Sequence, residues 1–170
     1  GQQVVDALLE VFAVPGLVAE RVSSAQYADH LVFRSQGNAS RSPVALIGHL
    51  DTVFPPGVFE GYRVDQHLRR GPGVLDMKGG LVVMAWALKA VHRLVGLQAV
   101  PPLRIVIVSD EEVGSPEGAP LIAQVTPGVS AALVFESGRA IYAIVTARRG
   151  TGAMTCVAKG KAAHAGNNHA

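Results

Sequence analysis

Six acidic or imidazole side chains follow apolar, strand-like runs or a glycine-rich turn: His49, Asp51, Asp76, Glu111, Glu112 and Glu136. In open α/β sheets, binding sites form just beyond the carboxyl ends of the strands, so these groups are expected to converge. Converging carboxylates repel one another and cost free energy to desolvate, so such a cluster persists only where cations neutralise it. The pattern therefore predicts a site for two divalent metal ions, which would offset about four negative charges.

The ligand types indicate which metal the site binds. One imidazole among carboxylates suits zinc, with Co²⁺ or Mn²⁺ as substitutes, whereas oxygen ligands alone would favour magnesium or calcium. His49 and Asp51 lie two residues apart on an extended segment, so both side chains point to the same side and Asp51 can orient the imidazole. Glu111 and Glu112 are adjacent and diverge, so one can bind metal while the other acts as a general base.

Each of these motifs has a simpler interpretation when it is taken alone. A histidine two residues before an aspartate is common, an adjacent glutamate pair usually lies in a solvated loop, and Asp76 could simply cap a helix. The segment GPGVLDMKGG is glycine-rich, but it lacks the GK[ST] ending of a phosphate-binding loop. The remaining histidines are assigned to surface or packing roles. The ordered combination, with each member at a strand end or glycine turn, favours the metal site.

Strand-like and helix-like segments alternate along the chain, which predicts an α/β domain with a largely parallel sheet. Helices are predicted at 4–12, 77–94 and 115–125, and a strand at 30–34. Buried strands are predicted at 43–48, 103–108 and 131–135, a further strand at 141–147, and a hairpin near the sheet's edge at 62–68. The pattern changes from Gly150 onward, and residues 152–159 are typical of the first strand of a second domain.

Composition excludes several classes of protein. Hydrophobic residues make up 49% of the chain and charged residues 16%, which excludes intrinsic disorder. The net charge is +2 without a basic block, so no nucleic-acid partner is expected. The longest apolar run, at 81–88, is too short to span a bilayer, so no membrane partner is expected. No signal peptide is visible, which favours a cytoplasmic location, with the periplasm or secretion left open because an upstream segment could have been removed.

Five motifs in a fixed order carry a family resemblance: GHLDTVFPPG, GPGVLDMKGG, SDEEVGS, VFESG and GKAAHAG. Together they resemble the M20 family of zinc metallopeptidases and aminoacylases, most closely its glutamate carboxypeptidase-like branch. The resemblance begins near Pro43 and extends over nearly all of the remaining chain. It implies a three-layer α/β/α catalytic domain with a largely parallel, mixed sheet at 1–147. Residues 148–170 would begin an α+β lid and dimerisation domain.

The resemblance also implies a role for each motif residue. His49 and Glu136 would bind one zinc ion, Glu112 would bind the other, and Asp76 would bridge the two. The peptide bond that follows Asp76 would be cis.

Three further residues would serve catalysis. Glu111 would be the general base, and Asp51 would hold the imidazole that binds the first zinc ion. His164 would reach the active site of the partner subunit in a homodimer.

The function implied by the resemblance is metal-dependent hydrolysis of the amide bond in N-acyl amino acids or small peptides with a free carboxylate. The family's last zinc ligand, a histidine, and its substrate-binding arginine have no counterpart in this sequence. We therefore expect an N-terminal part of such an enzyme, inactive by itself. The alternatives are a metal-binding module without turnover and a purely structural α/β domain.

Overall fold

The computed structural model describes residues 1–138, 143–150, 152–157 and 159–160. The chain divides into two compact units, Gly1–Ser137 and Gly138–Ala170. All helices and strands of the described residues lie in the first unit. The helices are α1 (Gln2–Val11), α2 (Gly79–Leu94) and α3 (Gly118–Val125). Among the described residues, every helix is too short or too polar to cross a lipid bilayer.

A mixed five-stranded sheet forms the centre of the first unit. Its strands are β1 (Leu17–Val22), β2 (His30–Ser35), β3 (Val44–His49), β6 (Leu103–Val108) and β7 (Ala131–Val134), in the spatial order β1-β2-β6-β3-β7. The strands β6, β3 and β7 run parallel, whereas β2 is antiparallel to both β1 and β6. The predicted α/β fold with a largely parallel, mixed sheet is therefore confirmed.

Apolar residues on alternating positions of the strands divide between the two faces of the sheet. Leu31 and Phe33 of β2 point to the face that α1 and α2 cover, together with Ile105 of β6. Val32 and Val106 point to the opposite face, which Val125 of α3 covers. Because successive side chains of a strand point to opposite faces, one apolar strand serves both cores. The result is a three-layer α/β/α arrangement.

The parallel register brings three strand ends to one edge of the sheet. His49, the last residue of β3, pairs with Val108, the last residue of β6, and Ile47 pairs with Val134, the last residue of β7. The segments that follow β3, β6 and β7 therefore begin side by side. Because β2 runs antiparallel to β6, its first residue, His30, lies at the same edge.

Several predicted elements differ from the observed ones. The predicted hairpin is observed as β4 (Arg63–Asp65) and β5 (Leu68–Arg70), which form a separate two-stranded sheet. Strand β1 was not predicted, because its largely exposed residues lack a period-two apolar pattern. Strand β7 was predicted to be buried, but its four residues are exposed because, among the described residues, its side chains join neither apolar core.

The predictions for the second unit are only partly covered by the described residues. Of the strand predicted at 141–147, residues 141 and 142 lie outside the described residues, and residues 143–147 form no strand. The described residues of the stretch 152–159 form no strand either. The assignment of residues 148–170 to a lid and dimerisation domain stays a prediction.

A close backbone contact joins the first turn of α2 to the end of β7. A Cβ atom added to Gly80 would overlap the carbonyl oxygen of Phe135. Only glycine allows the two backbones to approach this closely. The contact fixes the start of α2 against the residue that precedes Glu136.

We predict that Gly80→Ala lowers the free energy of unfolding by about 1–3 kcal/mol, the usual cost of overpacking. Helix propensity alone predicts the opposite, because alanine favours a helix over glycine by about 1 kcal/mol. The measurement is urea unfolding followed by circular dichroism. Gly138→Ala is the control, because an added Cβ there meets no atom within 4 Å. A Gly80→Ala protein as stable as the parent would show that the two backbones are not in forced contact.

Candidate metal centre

The imidazole of His49 lies at the centre of the predicted cluster. It is 1% exposed and ends the central parallel strand β3. Its Nε2 atom lies 3.3 Å from Oδ1 of Asp76 and 3.6 Å from Oε1 of Glu136. These three residues each offer one donor atom, and the three atoms all lie within 4.8 Å of one another. The structure thus brings together the three residues predicted to surround one metal ion.

The glutamate pair after β6 approaches the same imidazole. One donor atom each from His49, Glu111 and Glu112 forms a second group within 4.8 Å. Glu112 is partly buried, whereas Glu111 is exposed. The pair lies in a short helical turn, Glu111–Val113, instead of the extended segment assumed from the sequence. The two glutamates nevertheless differ in environment, as their proposed division of roles requires.

Asp51 connects the end of β3 to the loop after β6. One of its carboxylate oxygens, Oδ1, lies 3.3 Å from Nδ1 of His49. The other, Oδ2, accepts a hydrogen bond of 2.9 Å from the backbone N–H of Glu112. Among the described residues, neither Nδ1 of His49 nor Oδ1 of Asp51 has a hydrogen-bond partner of ordinary geometry. Asp51 therefore lies where the sequence predicted it, on the ring nitrogen opposite the one that faces Asp76 and Glu136.

The surrounding carboxylates change the ionisation of His49. Burial by itself would lower the pKa of the imidazole, but the contact with Asp51 and the negative charges nearby outweigh burial and raise the pKa to about 9. Burial would raise the pKa of Asp51, yet the interactions with His49 and with the Glu112 backbone lower it. The two residues therefore form an ion pair when no metal ion competes for the ring.

Two of the predicted metal ligands, Glu136 and Glu112, have carboxyl groups whose pKa is raised above the ordinary value. Burial raises the pKa of Glu136, and the neighbouring Asp76 raises it further. Burial likewise raises the pKa of Glu112, again reinforced by the charge of Asp76. Like charges held this close favour protonation unless a cation is bound. The donor set, one imidazole nitrogen with several carboxylate oxygens, fits divalent metal ions of the zinc type.

Asp76 reaches the cluster from a kinked turn, Val74–Lys78, that precedes α2. The Asp76–Met77 peptide bond is cis, which confirms the expectation from the family resemblance. Gly73, just before this turn, has a φ of +75°, and a Cβ there would lie 2.5 Å from Nζ of Lys78. Lys78 is partly buried, and this burial lowers its pKa although Asp51 opposes the effect. The lysine thus belongs to the surroundings of the site instead of to the open surface.

Behind the glutamate pair lies a network that the sequence did not reveal. Nδ1 of the buried His30 accepts a hydrogen bond of 3.1 Å from the Ser109 N–H, and its Nε2 lies 3.6 Å from Oε2 of Glu117. Asp110 accepts hydrogen bonds of 2.7 and 2.9 Å from the backbone N–H groups of Glu117 and Gly118. These contacts fix both ends of the loop that carries the glutamate pair. The packing role assigned to the remaining histidines holds for His30, but its partners depend on the antiparallel placement of β2.

His164, which the resemblance placed at the active site of a partner subunit, lies outside the described residues. The roles of the other six residues as ligands, base and orienting group stay predictions. What the structure establishes is their convergence on His49.

Comparisons with known proteins bear on the family and the fold of the chain. Residues 45–158 match the profile of peptidase family M20/M25/M40. Carboxypeptidase G2 of Pseudomonas sp. (strain RS-16) is 30% identical over 89 residues, which cover 51% of this chain and 21% of that protein. A probable carboxypeptidase of Aspergillus terreus is 32% identical over 143 residues, which cover 79% of this chain and 31% of that protein.

The fold is also found among solved structures. Aminopeptidase PepT of Bacillus cereus superposes with a TM-score of 0.62 at 16% identity, and the match covers 81% of this chain and 38% of that one. The chain spans about a fifth to a third of the length of the two curated relatives described above.

We predict that Asp51→Asn weakens Zn²⁺ binding by about 10–100-fold, the usual cost of losing a group that orients a metal-binding histidine. The variant keeps the shape of the side chain but removes the charge that faces Nδ1 of His49. Affinity is measured by competition with a chromophoric chelator. Asp65→Asn, in the exposed β4–β5 hairpin, is the matched control. Equal affinities for the two variants would exclude an orienting role for Asp51.

A second prediction concerns the pH dependence of metal binding. In the metal-free protein, His49 is protonated below its raised pKa of about 9, so a metal ion must displace a proton there. The apparent Zn²⁺ affinity should therefore rise as the pH rises toward 9 and level off above it. Imidazole NMR signals should show His49 titrating near pH 9 without metal and not titrating when Zn²⁺ is bound. A His49 midpoint near the ordinary imidazole value of about 6.5, unchanged by Zn²⁺, would contradict the assignment.

Proposed function

Because the chain belongs to peptidase family M20/M25/M40, we propose that the protein is a metal-dependent amide hydrolase. Its substrates would be N-acyl amino acids or small peptides with a free carboxylate. The observation that carries the proposal is the pair of donor groups that share His49, one with Asp76 and Glu136 and one with Glu111 and Glu112. The free nitrogen of this imidazole can bind only one ion, and the carboxylates of the two groups offer oxygen ligands for a second ion beside it.

Each proposed ligand is assigned to one or both of two metal ions. His49 and Glu136 would hold one Zn²⁺ ion, Glu112 the other, and Asp76 both, with Co²⁺ or Mn²⁺ as possible substitutes. When bound, such ions lower the pKa of a water molecule and polarise the scissile carbonyl. Proton transfer and the orientation of the metal ligands would be the work of side chains of this chain.

Glu111 is the proposed general base. Its carboxylate is exposed at the edge of the cluster, so it can reach a water molecule and a substrate. It would take a proton from the attacking water at a carboxylate oxygen and pass it to the nitrogen of the leaving amine. A module that only binds metal has no need for a base at this position, which favours hydrolysis over simple metal binding.

Asp51 would keep the His49 ring in one orientation during this chemistry, because its carboxylate faces Nδ1 and leaves Nε2 directed at the metal ligands. We further propose that the protein works as a homodimer, with His164 of the partner subunit stabilising the oxyanion. This part of the proposal rests on the motif GKAAHAG and its family counterpart.

We predict that the two adjacent glutamates respond differently to the same substitution. Glu111→Gln should reduce kcat by at least about 10²–10⁴-fold with little loss of zinc, because proton transfer is removed while the ligands remain. Glu112→Gln should lose one zinc ion for each site. The variants are made in the complete reading frame of the gene, purified, and compared for zinc content and for hydrolysis of N-acyl amino acids.

The parent protein with and without a chelator is the control for these variants. Equal zinc loss in both variants would mean that the base and the ligand have been misassigned. If the parent protein binds zinc but hydrolyses no N-acyl amino acid, the result would instead support a metal-binding module.

A further inference from the structure

A cavity of about 330 Å³ opens directly beside the metal centre. Asp76 and Glu112 are among the residues that line it, so a molecule in this cavity would lie against two of the proposed metal ligands. Its walls come from the loop after β3 and from the turn before α2, chiefly Val53, Phe54 and Leu75. Its volume is at the small end of the range of about 300–1,000 Å³ for ligand pockets.

The walls of this cavity expose apolar side chains to solvent. Val53 is 63% exposed, Phe54 41% and Leu75 74%. The Phe54 ring packs edge-on against Phe59, another wall residue, with 5.0 Å between the ring centroids. Scattered exposed apolar residues are ordinary, but a contiguous group that lines a concave site is typical of a binding pocket.

The charges around the cavity decide which end of a substrate it suits. None of the described residues that line it is basic, and the two charged ones, Asp76 and Glu112, are acidic. No basic side chain of the described residues lines these walls, and the one cation among them close to the wall residue Gly73, Nζ of Lys78, interacts with the carboxylate of Asp51. The apolar acyl group of a substrate, by contrast, could contact these walls while the carbonyl of the scissile amide lies next to the metal centre.

We infer that this cavity is the acyl-group subsite and that it selects an apolar acyl group, such as an aryl or branched alkyl group, over acetyl. The inference rests on the proposed amide hydrolysis and adds the substrate class to it. The cavity volume suits one ring or a short branched chain. Filling an apolar pocket with a larger apolar group typically changes kcat/KM by about 10–200-fold.

The test compares N-phenylacetyl and N-acetyl derivatives of one amino acid, using the protein made from its complete reading frame. We expect kcat/KM to be about 10–200-fold higher for the phenylacetyl substrate. Phe54→Ala should bring this ratio close to one, and the conservative Phe54→Leu should retain part of it. Val58→Ala should keep the ratio of the parent, because Val58 is 69% exposed on the same loop but does not line the cavity.

The charge argument has a separate test in Leu75→Lys, which places a cation in the cavity wall at an exposed position. In this variant, kcat/KM for the N-succinyl derivative of the same amino acid, whose acyl group carries a carboxylate, should rise relative to kcat/KM for the N-phenylacetyl derivative. A parent protein that hydrolyses acetyl and phenylacetyl substrates equally well, or a Phe54→Ala variant that keeps the preference, would overturn the inference while leaving amide hydrolysis intact.

Failure of the proposed function gives a different result. If the zinc-loaded protein hydrolyses no amide, binding of the N-phenylacetyl amino acid is followed by NMR signals of the Phe54 ring. A shift of those signals with the phenylacetyl compound and not with the acetyl compound supports the subsite. No shift with either compound overturns it.

Discussion

The parallel pairing of β3 with both β6 and β7 is the constraint on which the rest of the site depends. His49 ends β3, so the register of these two pairings decides which residues stand on either side of its ring. A shift of β6 by one residue would direct the chain after it to the opposite face, because strand side chains alternate. The pairing is stabilised by apolar residues such as Ile105 and Val106, which are buried on opposite faces of the sheet. The core and the site are therefore held by the same register.

Much of this arrangement could be predicted from the sequence, because the signals are local. The two-residue spacing of His49 and Asp51 on an apolar strand was enough to place both side chains on one side of the chain. The runs at β3 and β6 are continuous apolar segments, and their burial followed. Strand β7 has an equally apolar run, but the sequence cannot specify what covers a strand, so its exposure was not predicted. Strand β1 has no apolar alternation and is recognisable only through its pairing with β2.

The contacts that could not be predicted are those that join distant segments. His30 and Ser109 are 79 residues apart, and they meet only because β2 runs antiparallel to β6. The hydrogen bond from the Glu112 backbone to Asp51 spans 61 residues and depends on the loop after β6 turning back toward β3. In both cases the residue type is compatible with many partners. Tertiary placement selects one of them, and a single sequence carries little information about that selection.

The contact between Gly80 and Phe135 limits how far substitutions on α2 can disturb the site. It joins two backbones, so it does not depend on which side chains surround it. Asp76 precedes Gly80 by four residues and Glu136 directly follows Phe135, so their spacing is set largely by this backbone contact. Mutations on the outer side of α2, at Val82, Val83 or Trp86, can accumulate without moving either carboxylate. One glycine thus makes the spacing of the two carboxylates independent of the side chains on the outer surface of the helix.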